Sequence, residues 1–325
     1  MRKITIITGA GSSVDYGLPL GSQLIEDIRV KLLQERPQAG NNTLVDLAVQ
    51  IGESGDFGKA SEEIIGRMLA TRSIDRFLDL RKEVKAITVL GKLAIADSIL
   101  ERERNSWLIN LISEDFSTRH SALHAVQNTW IANIFRARVS EIHPDDGNLI
   151  FGNVSFVTFN YDRCIEIYID AALRDIAGVS DEMRSKVMQS LNIFHVYGSL
   201  GNPFAGTQKI PFGADRFFVT SASQSIRLFT EGVESGLREA IQRQLHASDV
   251  IILMGFSYDP LNVRNLFEGL NCENKRIIAL RTGDISEGIS YIQNQTGAQD
   301  FQIIDSDCSN FTKSHIMHSI LMDGF

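Results

Sequence analysis

Residues 4–19 read Ile4-Thr5-Ile6-Ile7-Thr8-Gly9-Ala10-Gly11-Ser12-Ser13-Val14-Asp15-Tyr16-Gly17-Leu18-Pro19. Five apolar and β-branched residues run straight into a turn of small residues. From Gly21 to Leu33 the apolar positions Leu24, Ile25, Ile28 and Leu32 then recur at helical spacing. A strand, a glycine turn and a helix in that order make a phosphate-binding device. The glycines let backbone approach an anion, and the helix N-terminus turns N–H groups and a partial positive charge toward it. The bland reading of the same residues is a tight strand–helix corner without a ligand. Standing first in the chain, the unit reads as the first strand and turn of an open α/β sheet.

Spacing narrows the ligand. A P-loop requires Gly-Lys-Ser/Thr five residues after the first glycine, and no lysine follows here. The dinucleotide fingerprint requires a third glycine where Val14 stands, and an acidic residue about 20 positions on that ends a second strand. Glu26 and Asp27 fall near that place, but on a segment of helical period. A hydride-transfer dehydrogenase is disfavoured.

Three later segments repeat the pattern of strand followed by polar turn. Val154–Thr158 leads into Phe159-Asn160-Tyr161-Asp162, Ile193–Tyr197 carries Phe194-His195-Val196-Tyr197-Gly198-Ser199, and Val250–Leu253 leads into Met254-Gly255-Phe256-Ser257. With Gly-Ala-Gly-x-Ser-x-x-x-Gly-Leu-Pro at residues 9–19, these resemble, in order, the signatures of the sirtuin family (silent-information-regulator-2-like proteins). The resemblance implies a Rossmann-like, mostly parallel sheet that binds NAD as substrate. It implies that Asn160 and His195 are catalytic. Asn160 would hold a water beside the ribose, and His195 would act as general base. It also implies NAD contacts from Gly9, Ala10, Gly11, Ser13, Gly17, Pro19, Asp162, Tyr197, Gly255, Ser257, Asp259 and Asn262.

The departures from the family select among its members. Sirtuin deacylases continue past the proline with Asp-Phe-Arg, where this chain has Leu20-Gly21-Ser22. They also carry a zinc lobe of two Cys-x-x-Cys pairs, whereas Cys164, Cys272 and Cys308 are far apart and too few for a four-thiolate site. No metal is expected. Together with Ser73-Ile74-Asp75-Arg76-Phe77-Leu78 and the Tyr-Gly-Ser form of the histidine segment, the chain looks like the sirtuin-like NAD hydrolases of bacterial anti-phage defence. That likeness implies cleavage to nicotinamide and ADP-ribose. It also implies restraint by self-assembly or by a partner such as an ATPase or an Argonaute-like protein, with Leu44–Val139 as the contact surface. A deacylase, an ADP-ribosyl transferase and a non-catalytic nucleotide sensor are the alternatives.

Several of these residues have a plainer reading. Asn and Asp after a strand are favoured helix caps, which covers Asn160 and Asp162, and capping of the helix from Pro260 covers Asp259 and Asn262. Ser12 and Ser13 are phosphate ligands, caps or both. A lone histidine is usually a hydrogen-bonded strand-end residue. Tyr197, two residues beyond His195 and on the same strand face, assists or replaces it. His120 and His124 form an i, i+4 pair without an evident third metal ligand.

The chain has 325 residues, is 43% hydrophobic, and carries a net charge of -8. This composition buries a normal core and argues against general or sequence-specific nucleic-acid binding. Few cysteines suit a reducing compartment, and no run approaches membrane-spanning length, so a cytoplasmic protein is expected. Pro37–Thr43 reads as a polar link. Leu44 to about Val139 reads as helical, through Phe77, Leu80, Val84, Ile87 and Leu90 and through Leu108, Leu111 and Ile112. Asp145-Asp146-Gly147 reads as a returning turn. The expected organisation is therefore an α/β domain over 1–40 and 145–325, interrupted by a helical insertion over 41–144. Further strands are expected at Arg276–Leu280 and Phe301–Ile304, and a helical stripe over Ile226, Phe229, Val233, Leu237, Ile241 and Leu245.

Overall fold

The computed structural model describes residues 2–35, 43–51, 55–71, 73–140, 142–204, 209–228, 235–281 and 286–322. The chain order is β1 (Ile4–Thr8), α1 (Gly21–Glu35), α2 (Leu44–Gln50), α3 (Phe57–Arg67), α4 (Ile74–Asp79), α5 (Lys85–Arg104), α6 (Phe116–Ala125), α7 (Trp130–Val139), β2 (Val154–Thr158), α8 (Cys164–Asp175) and α9 (Asp181–Ser190). It continues with β3 (Ile193–His195), α10 (Val219–Gln224), α11 (Ser235–Ala247), β4 (Val250–Met254), α12 (Pro260–Phe267), β5 (Arg276–Arg281), α13 (Ser286–Thr296), β6 (Asp300–Asp305), α14 (Cys308–Thr312) and α15 (His315–Met322).

The six strands form one all-parallel sheet in the order β3-β2-β1-β4-β5-β6. This is the Rossmann order, with its topological switch point between β1 and β4. The apolar runs read from sequence lie at or within a residue or two of these strands; β1, β2 and β4 are buried along their whole length, as inner strands covered on both faces require, whereas the edge strands β3 and β6 are only partly buried. Alternate side chains enter two cores. Ile4, Ile6, Val154, Phe156, Val250 and Ile252 enter one, and Ile7, Val157, Ile251 and Leu253 enter the other.

The helices from 44 to 139 do not share one core. Residues of α2–α5 pack with α1, α10, α12 and one sheet face, whereas α6 and α7 pack with α8, α14, α15 and the opposite face. The expected stripe from Phe77 to Leu90 is two helices. It breaks at Leu80 and Val84, both exposed, and α5 starts at Lys85. Leu108 and Leu111 are buried on a 3₁₀ helix, Trp107–Ile112, and residues 144–149 form another 3₁₀ segment. Leu237, Ile241 and Leu245 lie on α11, while Ile226 precedes it. Phe229 and Val233, like residues 37–42 of the polar link, lie outside the described residues.

Candidate active site

The loops after β1, β2 and β4 meet at the carboxyl end of the sheet, across its switch point, around a cleft of about 470 Å³. The glycines act first on one another. A Cβ on Gly255 would come 2.2 Å from the Ser12 nitrogen, and one on Gly9 or Gly11 would strike the Gly255 backbone. The Gly11 N–H donates to the Gly255 oxygen at 2.9 Å, which locks the two turns together. Gly255 also has φ of 60°, in the left-handed region.

The glycine turn folds as two 3₁₀ turns, Ala10–Ser12 and Val14–Tyr16, so the helix start that faces the cleft is Gly21-Ser22 of α1, later than the sequence pattern implies. The turn is tied from beneath by α7, where the Trp130 indole N–H donates to the Ser12 carbonyl at 2.6 Å. Beside it, the Tyr16 hydroxyl donates to Thr129 at 2.8 Å.

Asn160 follows β2 and is nearly buried. Its Nδ2 donates to the Gly9 carbonyl at 3.1 Å and to Ser13 Oγ at 2.9 Å. A carbonyl can only accept, so the amide's orientation is set, and Oδ1 makes no hydrogen bond among the described residues. Asn160 lines the cleft together with Gly9, Ala10, Gly11, Tyr197, Gly255, Ser257, Asp259 and Asn262. Asp259 also caps α12, accepting from the Leu261 and Asn262 N–H groups, with Pro260 behind it. The Tyr197 hydroxyl donates to Asn262 Oδ1. Burial, and then the charges of Asp75, Asp259 and Asp79, push that phenol well above its usual pKa. Phe159, Tyr197 and Phe256 add an aromatic wall, with Phe159 5.6 Å from the Tyr197 ring and 5.0 Å from the Phe256 ring.

Five of the residues singled out from sequence do not line the cleft: Ser13, Gly17, Pro19, Asp162 and His195. Ser13 orients Asn160, and Gly17, with φ of 88°, ends the second 3₁₀ turn. Asp162 accepts from the Cys164 N–H at 3.2 Å, and burial raises its carboxyl pKa. His195 uses both ring nitrogens, Nδ1 on the Asn160 carbonyl at 2.9 Å and Nε2 on Glu166 of α8 at 2.8 Å. Burial alone would keep the imidazole neutral. Glu166 and the carbonyl outweigh it and lift the pKa above the usual histidine value. The Nδ1 contact is to a pure acceptor, so His195 donates there.

Other side chains at the cleft come from α4. Ser73 caps it by accepting from the Arg76 N–H, and Ser73, Asp75, Arg76 and Asp79 all line the cleft. Their signal in the sequence was a serine cap followed by two carboxylates at i, i+4, which share one helix face. His120 and His124 are exposed on α6, away from these residues. Cys164 and Cys308 are buried in the core on one sheet face and Cys272 in the core on the other.

Residues 154–295, which carry the Asn160, Tyr197 and Gly255 turns, match the family model described as a SIR2-like domain. No curated protein matches the chain. Among solved structures, the crystal structure of a Sir2 homolog–NAD complex is similar at 12% identity with a TM-score of 0.43, covering 98% of this chain and 89% of that one.

Proposed function

We propose that the protein hydrolyses NAD at the nicotinamide–ribose bond, releasing nicotinamide and ADP-ribose. The observation that carries this reading is Asn160. Its amide is held by Gly9 and Ser13 so that a neutral oxygen is left to hold a water at the carboxyl end of the sheet. Breaking the glycosidic bond develops an oxocarbenium-like ribose. A fixed amide positions the attacking water, and carboxylates at Asp75, Asp79 and Asp259 favour the developing positive charge. Backbone at Gly9–Gly11 and the N-terminus of α1 suit a diphosphate, and the wall of Phe159, Tyr197 and Phe256 suits a planar ring. His195 serves this site from behind, by fixing the Asn160 peptide.

The likeness of residues 73–78 and 194–199 to anti-phage effectors extends the proposal to an abortive-infection role, restrained by self-assembly or by a partner protein. The test is to incubate the purified protein with NAD, alone and with candidate partners, while following nicotinamide release and sizing the protein by light scattering. Asn160→Ala should lower turnover roughly 100-fold or more in a folded protein, the scale of losing one preorganised polar contact to the transition state. Wild-type turnover in that variant would remove Asn160 from the mechanism. Deacylation of an added acyl-lysine peptide would move the reading to the deacylase.

A further inference from the structure

The three aspartates of the cleft are held differently. Asp259 caps α12 through Oδ1. Asp79 faces Arg76 at 3.6 Å. Asp75 has neither a cap to make nor a cation paired with it among the described residues. Its carboxylate instead accepts a hydrogen bond from the Tyr161 hydroxyl. Tyr161 is buried and is the residue after Asn160, so the loop that presents the amide to the cleft also anchors the carboxylate that α4 brings in.

We propose that Asp75 is the general base of this cleft and takes a proton from the water that Asn160 holds. The proposal rests on the NAD-cleavage reading above. In the step, the electron pair of the ribose C1′–nitrogen bond leaves with nicotinamide and the water oxygen bonds to C1′. One water proton passes to the Asp75 carboxylate and then to solvent. NAD⁺ and water thus give nicotinamide, ADP-ribose and one proton.

The other titratable groups at the site fit this role less well. His195 has both nitrogens engaged and does not line the cleft. Tyr197 is pushed up in pKa and so stays protonated near neutral pH. Arg76 is cationic and paired with Asp79. Burial raises the Asp75 carboxyl, Asp259 and Asp79 raise it further, and the Tyr161 bond pulls it back down. A carboxyl moved toward the working pH is a stronger base than an ordinary aspartate.

The experiment is the pH dependence of kcat for nicotinamide release by the wild-type chain, Asp75→Asn and Tyr161→Phe, with NAD binding followed by calorimetry. Wild-type kcat should fall on the acid side as Asp75 protonates. Asp75→Asn should lose roughly 100-fold or more in kcat, the contribution of a positioned base, and should lose the acid limb while still binding NAD. Tyr161→Phe removes the bond that lowers the Asp75 pKa. Its acid limb should therefore move to higher pH with the plateau largely kept, a change that a purely structural role would not produce. If Asp75→Asn does not fold, the Tyr161→Phe limb decides. Wild-type kcat in Asp75→Asn, or an unmoved limb in Tyr161→Phe, overturns the assignment and leaves the NAD-cleavage reading standing. No nicotinamide release from the wild-type chain overturns both.

Discussion

At the scale of single residues, His195 and Tyr197 divide the work that sequence alone left shared between them. β3 ends at His195, and the chain turns so that Tyr197 reaches the cleft while the imidazole bridges Asn160 and Glu166. The pair makes a stability prediction with a definite sign. The folded-state pKa of His195 is raised above the unfolded value of about 6.5, so its contribution is fully present below that pH and fades as pH rises through the folded value. Thermal melts at rising pH should show this loss in the wild type. Glu166→Gln, which removes the anionic partner, should flatten it. A profile identical in the two proteins would mean that the imidazolium–carboxylate pair contributes nothing to stability.

At the scale of elements, the cleft depends on helices far from it in sequence. The last turn of α5 carries Glu103, which pairs with Arg163 just past the Asn160 loop, and neither side chain has any solvent exposure. The guanidinium also donates to the Ile210 carbonyl, and the Gly213 N–H donates to Glu103 at 3.0 Å, so a single knot joins α5, the start of α8 and residues 210–213. Burial raises the Glu103 pKa even against the pull of Arg163. Removing one partner of such a pair strands the other charge in the core. Glu103→Ala should therefore cost about 3–5 kcal/mol in chemical denaturation. A loss below about 1 kcal/mol, the scale of an exposed pair, would show that the carbonyls alone satisfy Arg163.

At the scale of the whole molecule, the two cores share one sheet. Helices α2–α5 lie on one face and α6 and α7 on the other, so the helical stretch cannot leave without uncovering both sides. Unfolding is expected as a single transition. Trp130 is 1% exposed and sits on α7 against the glycine turn, whereas Trp107 is 62% exposed. In a Trp107→Phe variant the emission of Trp130 should change together with far-UV circular dichroism along a urea series. Separated midpoints would show that part of the helical stretch unfolds by itself.

What the sequence determined by itself is what local chemistry carries. A buried parallel strand needs an apolar run, which placed β1, β2 and β4, and weaker apolar runs marked the other three. Glycine after a strand permits a tight turn and a close approach of backbone, which marked Gly9, Gly11 and Gly255 as turn positions. Asn160 was legible only through the likeness of residues 159–162 to the sirtuin Asn-x-Asp segment, because an Asn shortly after a strand reads by itself as a helix cap. Tertiary structure alone decided the rest. It split the helices of 44–139 between the two faces, turned His195 toward Glu166 instead of the cleft, and brought Asp75 across to Tyr161, 86 positions further on. Those outcomes depend on packing between elements distant in the chain. No periodicity or short spacing records them, because the partner that fixes each side chain's direction lies outside any local window.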